Sequence, residues 1–209
     1  MVTNAELLRG QWRSLRDWIE TSGLLDHSGR QSVLEAWNIH ELVTHIGRSF
    51  LELSVLGPAK GESPMTLRAY LSQYGSLSRE IADGTAQLAM SFAGDVLGGI
   101  DNCARIGFRA LDALRADVVR TPRGGAISRD DYVLTRLIEL VVHGDDLARS
   151  APQVEPPPLL DAALEAVSAG LADAYLEAGG EAPHVDEHLP WIRIATGRVP
   201  SDDALLPLL

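Results

Sequence analysis

A glutamate and a histidine stand four residues apart in an otherwise apolar stretch of the sequence, Arg136 to Leu147. Because an α-helix advances about 100° per residue, Glu139 and His143 would share one helix face, with Asp146 nearly in line. A carboxylate and an imidazole are costly to bury unless they are paired or bind a metal. Such a pair recurs as a chelating motif on bundle helices. A metal site is therefore one interpretation, and a helix-surface contact or a satisfied core pair is the other.

A further ligand has to come from another helix, and His45 is the best candidate. It lies in mid-helix between Val43 and Ile46, which predicts that it faces the interior, although a core histidine without a ligand role is the alternative. Two imidazoles and one carboxylate suit zinc, with nickel, iron or manganese as other ions. Three protein ligands leave one coordination position open, as in catalytic zinc sites. The remaining histidines fall in a first helical turn, a loop or the polar C-terminal stretch: His40, His27, His184 and His188.

Two segments resemble one protein family. The stretch from Trp37 to Gly47 is similar to the Trp-to-His segment of the mycothiol-dependent maleylpyruvate isomerase family, whose members are DinB-like metal-binding bundles. The stretch from Arg136 to Leu147 is similar to the second motif of that family, Glu-x-x-x-His-x-x-Asp-Leu. The resemblance covers about residues 1–150. It implies His45, Glu139 and His143 as metal ligands, the same three residues that helical spacing selects.

Asp146 matches the trailing aspartate of the family motif. It is expected to orient His143 through the free ring nitrogen, and it is also the candidate catalytic proton carrier, while a solvated or capping aspartate is the alternative. Trp37 is expected to pack in the core or at the helix start rather than to line the site. Arg48 and Arg136 are expected at the surface rather than against an anionic substrate.

The elements that would position these residues are helical. Apolar spacing, capping residues and Gly or Pro stop signals predict helices, whereas no alternating strand pattern is evident. The predicted helices begin near Thr3, Asn38, Thr66, Asp95, Ser128 and Leu159, and a short segment spans Trp191 to Thr196. An irregular, partly extended connection is expected over residues 118–125. The fold class is therefore all-α. With the resemblance, it is a DinB-like four-helix bundle over residues 1–150, followed by a Pro-rich linker and a short C-terminal helical extension over residues 151–209.

Composition narrows the class of protein further. A chain of 209 residues fits one domain with a modest extension. The net charge of −11 disfavours nucleic acid and anionic membrane surfaces as partners. No apolar run reaches the roughly 18 residues that a membrane helix needs, and the N-terminus lacks the pattern of a secretory signal. The single cysteine, Cys103, cannot form an intrachain disulfide. These features predict a cytoplasmic protein.

The resemblance also implies a function. Mycothiol would be the cosubstrate of a metal-dependent transferase or isomerase that acts on a small electrophilic molecule. In isomerases of this family a second domain helps to bind the thiol, whereas here residues 151–209 follow the bundle, with Trp191 to Arg198 resembling a tail segment of the family. A metal-dependent hydrolase that uses metal-bound water is an alternative. A non-enzymatic module that binds a metal or ligand, with homodimerisation through exposed helix faces, is another.

Overall fold

Side-chain caps begin the main helices where the sequence predicts them. Thr3 and Asn38 form capping boxes, and Ser128 accepts a hydrogen bond from the third residue after it. The structure, a computed structural model, describes residues 2–209. Its α-helices are α1 (Asn4–Thr21), α2 (Ile39–Ser54), α3 (Leu67–Leu71), α4 (Tyr74–Ser91), α5 (Val96–Ala113), α6 (Arg129–Ser150), α7 (Asp161–Glu177) and α8 (His188–Ala195).

Four of these helices form the bundle that surrounds the core. Helix α2 packs against α5 and α6, and α1 packs against α6. Gly107 allows α2 and α5 to come close, because a Cβ there would lie 2.3 Å from the carbonyl oxygen of Phe50. The predicted all-α fold with a four-helix bundle is confirmed. Within residues 2–209, every helix is too short or too polar to cross a membrane.

The region after Thr66 differs from the single helical stretch that the sequence predicts. It consists of two helices, α3 and α4, separated by Ser72 and Gln73. Helix α4 then continues through Gly84, which the sequence left open as an end or a break. Only Ile81, Thr85 and Ala89 are buried in α4, so this helix lies on the outside of the bundle and covers α2.

A small antiparallel sheet is the second difference from prediction. Its strands, in spatial order, are β1 (Gly57–Pro58), β2 (Val118–Arg120) and β3 (Ala126–Ser128). The expected irregular connection over residues 118–125 is thus β2 and the start of a hairpin turn, in which Gly124 and Gly125 have positive φ. Strands of two or three residues are too short to show an alternating pattern, which is why the sequence did not reveal them.

The C-terminal helices are tied to the bundle. Helix α7 contacts α1, α3 and α6, and α8 packs on α7. The linker before them is held on α1: the side chain of Gln11 bonds Pro158 and Leu160, and the indole of Trp18 donates to the carbonyl oxygen of Glu155. Apolar residues of α7 and α8 belong to the same core cluster as those of the bundle. The division of the chain at residue 150 stays a prediction.

Candidate metal centre

Helices α2 and α6 bring the three predicted ligands together inside the bundle. The Nε2 atoms of His45 and His143 lie 3.0 and 3.1 Å from Oε2 of Glu139. All three side chains are buried, and one ligand atom from each lies within 4.8 Å of those from the other two. Glu139 and His143 share a face one turn apart, as their spacing predicts, and His45 meets them from the facing helix.

The spacing of these atoms fits a small divalent ion. Zinc binds imidazole nitrogen and carboxylate oxygen at about 2.0–2.2 Å, so two tetrahedral ligands lie about 3.4 Å apart. The observed 3.0 and 3.1 Å between the nitrogens and Oε2 are close to that separation. Slight outward rotation of the side chains would make room for the ion. The donor set of two nitrogens and one oxygen therefore fits zinc and leaves a coordination position open.

The electrostatics of the cluster also suit a cation. Burial raises the pKa of Glu139, but its hydrogen bonds with His143 and His45 outweigh burial and hold the pKa well below its usual value. Burial lowers the pKa of His45, which favours the neutral, ligating form. Burial also opposes protonation of His143, yet its bonds to Asp146 and Glu139 raise its pKa. A metal bound at His143 would therefore compete with a proton for the ring nitrogen.

Each imidazole is held on the side that faces away from Glu139. The Nδ1 atom of His143 lies 3.0 Å from Oδ2 of Asp146, and Nδ1 of His45 lies 3.3 Å from Oγ1 of Thr85. Such outer contacts fix the ring orientation and direct each Nε2 toward the candidate metal position. The sequence did not single out Thr85. Its position on the buried face of α4, in line with Ile81 and Ala89, is the signal that could have found it.

The C-terminal extension reaches this centre through Arg198. Its Nη2 donates to Oδ2 of Asp146 at 2.9 Å, and Nε lies 3.3 Å from both carboxylate oxygens. Burial raises the pKa of Asp146, but the bonds with His143 and Arg198 outweigh it and lower the pKa to about 2. Asp146 is therefore a fully buried carboxylate between an imidazole and a guanidinium. This geometry supports the orienting role. The catalytic role of Asp146 stays a prediction.

Arg136 lies in the core, and the expectation that it lies at the surface is wrong. Its side chain is 1% exposed, with Nη1 2.7 Å from Oε2 of Glu52. Its Nη2 donates to the hydroxyl of Tyr74 and lies 3.8 Å from Oε1 of Glu139. A buried guanidinium thus stands behind the carboxylate oxygen that faces away from the histidines. The sequence does not reveal the contact between Arg136 and Glu52, because it depends on how α2 and α6 pack against each other.

Glu52 is the anion at the centre of this buried network. Besides Arg136, it accepts hydrogen bonds from Arg123 Nη2 at 3.3 Å and from the hydroxyl of Tyr132 at 3.2 Å. Arg48 Nη1 lies 3.8 Å away, and its side chain is 23% exposed, so the surface role expected for Arg48 is only partly correct. One carboxylate therefore faces three guanidinium groups and offsets part of their charge.

A cavity of about 500 Å³ opens onto the His–Glu–His cluster. Trp37 lines this cavity and stacks on His45, with ring centroids 4.4 Å apart and planes at 27°. Trp37 packs in the core, as expected. It also lines the site, so the expectation that it would not do so is wrong. Much of the remaining wall is apolar and includes Leu71, Ile81, Ile138, Val142 and Leu209.

The helical bundle is of the DinB-like kind. A sequence profile described as "Mycothiol maleylpyruvate isomerase N-terminal domain" matches residues 8–148, in agreement with the resemblance seen over residues 1–150. The chain therefore belongs to the mycothiol maleylpyruvate isomerase N-terminal domain family.

A solved structure supports the fold over most of the chain. The crystal structure of a mycothiol-dependent maleylpyruvate isomerase is 16% identical in sequence and superposes with a TM-score of 0.58. The alignment covers 95% of this chain and 93% of that one, so it includes most of the C-terminal extension. A sequence comparison with curated proteins gives no match.

Proposed function

We propose that the protein is a metal-dependent enzyme that uses a low-molecular-weight thiol, mycothiol, to modify or isomerise a small electrophilic molecule. The convergence of two imidazole nitrogens and one carboxylate oxygen at the wall of a cavity carries this proposal. Family membership supports the choice of thiol. In this proposal His45, Glu139 and His143 hold one divalent ion, zinc by its donor set, with nickel or iron as alternatives.

The residues around the cluster prepare it for this chemistry. A divalent ion with an open position lowers the pKa of a thiol bound there, so that thiolate is available at neutral pH. Thr85 and Asp146 hold the two imidazole rings in their ligating orientation. Arg136 draws Oε1 of Glu139 away from the histidines and leaves Oε2 toward them. Trp37 and the apolar wall line the side on which the electrophile would bind.

Metal content and thiol requirement test the proposal together. Protein purified without chelator is expected to contain about one divalent ion per chain, because three convergent ligands form one site. Turnover of an electrophile is expected only with both metal and thiol present. Elemental analysis and a conjugation assay give the two results. Ester hydrolysis without thiol would favour the hydrolase, and tight metal binding without turnover would favour a binding module. A folded protein that refuses added zinc would overturn the site itself.

Asp146→Asn is expected to weaken metal affinity by roughly 10-fold or more, because the amide holds His143 less firmly than the carboxylate does. Asp145→Asn is the matched control. Asp145 is the preceding residue on α6, but its carboxylate bonds Arg193 at 2.8 Å and not a ligand. Competition with a fluorescent chelator measures both affinities. Equal affinities for the wild type and Asp146→Asn would exclude the orienting role.

A further inference from the structure

We propose that the electrophile is an uncharged, largely apolar molecule and that the cavity selects against carboxylate-bearing ones. This inference rests on the proposed function and names the substrate class for the same site. The cavity of about 500 Å³ lies within the range of small-molecule sites, and one wall of it is the His–Glu–His cluster. Its remaining lining decides which chemistry it accepts.

Positive charge is scarce along the cavity. Among the residues of the chain from 2 to 209 that line it, Arg198 alone carries a permanent positive charge. Its guanidinium is already engaged, because Arg198 donates to Asp146 through Nε and Nη2 and to the carbonyl oxygen of Thr196 through Nη1. Arg136 is buried on its own partners and does not line the cavity. The lining formed by residues 2–209 therefore contains no unpaired guanidinium that could bind a substrate carboxylate.

The metal does not supply the missing charge. Glu139 neutralises one of the two positive charges of a divalent ion, and a thiolate in the open position neutralises the other. A substrate carboxylate would then lose its water against Leu71, Ile138 and Val142 with no cation to replace it. Glu35, an exposed residue at the cavity, adds a negative charge. A dicarboxylate such as maleylpyruvate would carry this uncompensated desolvation cost at each of its two carboxylates.

Uncharged hydroxyl groups also line the cavity. Tyr74 and Ser78, both on α4, contribute them. A neutral O–H donor suits a carbonyl or ester oxygen, whereas it compensates a desolvated carboxylate poorly. The lining therefore fits an apolar body that carries an uncharged acceptor.

A matched pair of benzylic chlorides tests this selection. The probes are methyl 4-(chloromethyl)benzoate and 4-(chloromethyl)benzoate, with mycothiol as the thiol. In the reaction the thiolate sulfur forms a bond to the benzylic carbon, chloride leaves with the electron pair of the C–Cl bond, and the thiol proton passes to the buffer. Each rate is divided by the uncatalysed rate with the same thiol. We expect kcat/KM for the ester to exceed that for the acid by at least about tenfold.

A cation added to the cavity wall should lower the ratio of kcat/KM for the ester to kcat/KM for the acid. Ser78→Arg places a guanidinium at an exposed position that lines the cavity, and it is expected to narrow the ester-to-acid ratio several-fold. Ser76→Arg is the matched control, since Ser76 is equally exposed on α4 but lies outside this cavity. Both serines bond only the carbonyl oxygen three residues before them, so neither change removes a tertiary contact. The control should keep the wild-type ratio.

Binding of an unreactive pair gives a readout that is independent of turnover. Calorimetric titration with methyl 4-methylbenzoate and 4-methylbenzoate is expected to show tighter binding of the ester. Equal or better kcat/KM for the acid, or tighter binding of the carboxylate, would overturn the substrate class while leaving thiol-dependent turnover intact. If neither chloride reacts with metal and thiol present, the proposed function fails, and the unreactive pair still decides which ligand the cavity prefers.

Discussion

His45→Ala, Glu139→Ala and His143→Ala are each expected to abolish metal retention and thiol-dependent turnover while the helical circular dichroism is kept. Each change removes one of the three proposed ligands, and two ligands hold a divalent ion far more weakly than three. The bundle should still fold, because its apolar core is extensive and does not include the three ligands. Elemental analysis, a conjugation assay and circular dichroism together measure the expected result.

Chelation provides the control for this result. A metal held between α2 and α6 stabilises the folded chain by mass action, so chelator should lower the melting temperature of the wild type but not that of the three variants. His40→Ala is the matched variant on α2: its ring Nε2 meets the carbonyl oxygen of Ala89, away from the cluster, and it should behave as wild type. Full metal occupancy in any ligand variant would refute the ligand assignment.

Glu52→Gln is expected to lower the free energy of unfolding by about 3 kcal/mol or more, since removing one partner of a buried ion pair leaves the other charge uncompensated. The charge left behind is that of Arg136, which is 1% exposed and lies 2.7 Å from Oε2 of Glu52. Arg123 loses the same counter-ion. The amide keeps the shape of the side chain, so the loss reports the charge rather than a cavity.

Urea unfolding in the presence of chelator measures this change without any contribution from bound metal. Glu62→Gln is the matched control, because Glu62 pairs with Arg120, whose side chain is 59% exposed. Breaking that pair should cost less than about 1 kcal/mol. A similar small loss for both variants would show that the network around Glu52 does not contribute to stability as its burial implies.

Local signals in the sequence predict most of the helices and the three residues that the structure brings together at the candidate metal centre. Capping residues such as Thr3 and Asn38 fix where a helix begins, and a four-residue offset alone places Glu139 and His143 on one face. His45 followed from the apolar residues on either side of it. Helical spacing thus predicts all three residues that the structure brings together, and the resemblance implies the same three.

Contacts between distant segments could not be predicted in this way. Thr85 contacts His45, and Arg198 contacts Asp146, only because α4 and the C-terminal segment fold back onto the bundle. Arg136 was assigned to the surface because a long charged side chain usually reaches water, and its partner Glu52 lies 84 residues away. Trp37 reaches the cavity through a stacking contact that has no local signature. The homodimer and the cytoplasmic location stay predictions.

X-ray absorption at the zinc edge, recorded before and after mycothiol is added, tests the central claim most directly. We expect a zinc shell of two imidazole nitrogens and one carboxylate oxygen at about 2.0–2.2 Å, joined by one sulfur at about 2.3 Å when the thiol is present. His45→Ala is expected to retain no zinc and therefore to give no such shell. A zinc shell without two imidazoles would refute the ligand assignment, and one that gains no sulfur from the thiol would refute thiol binding at the metal.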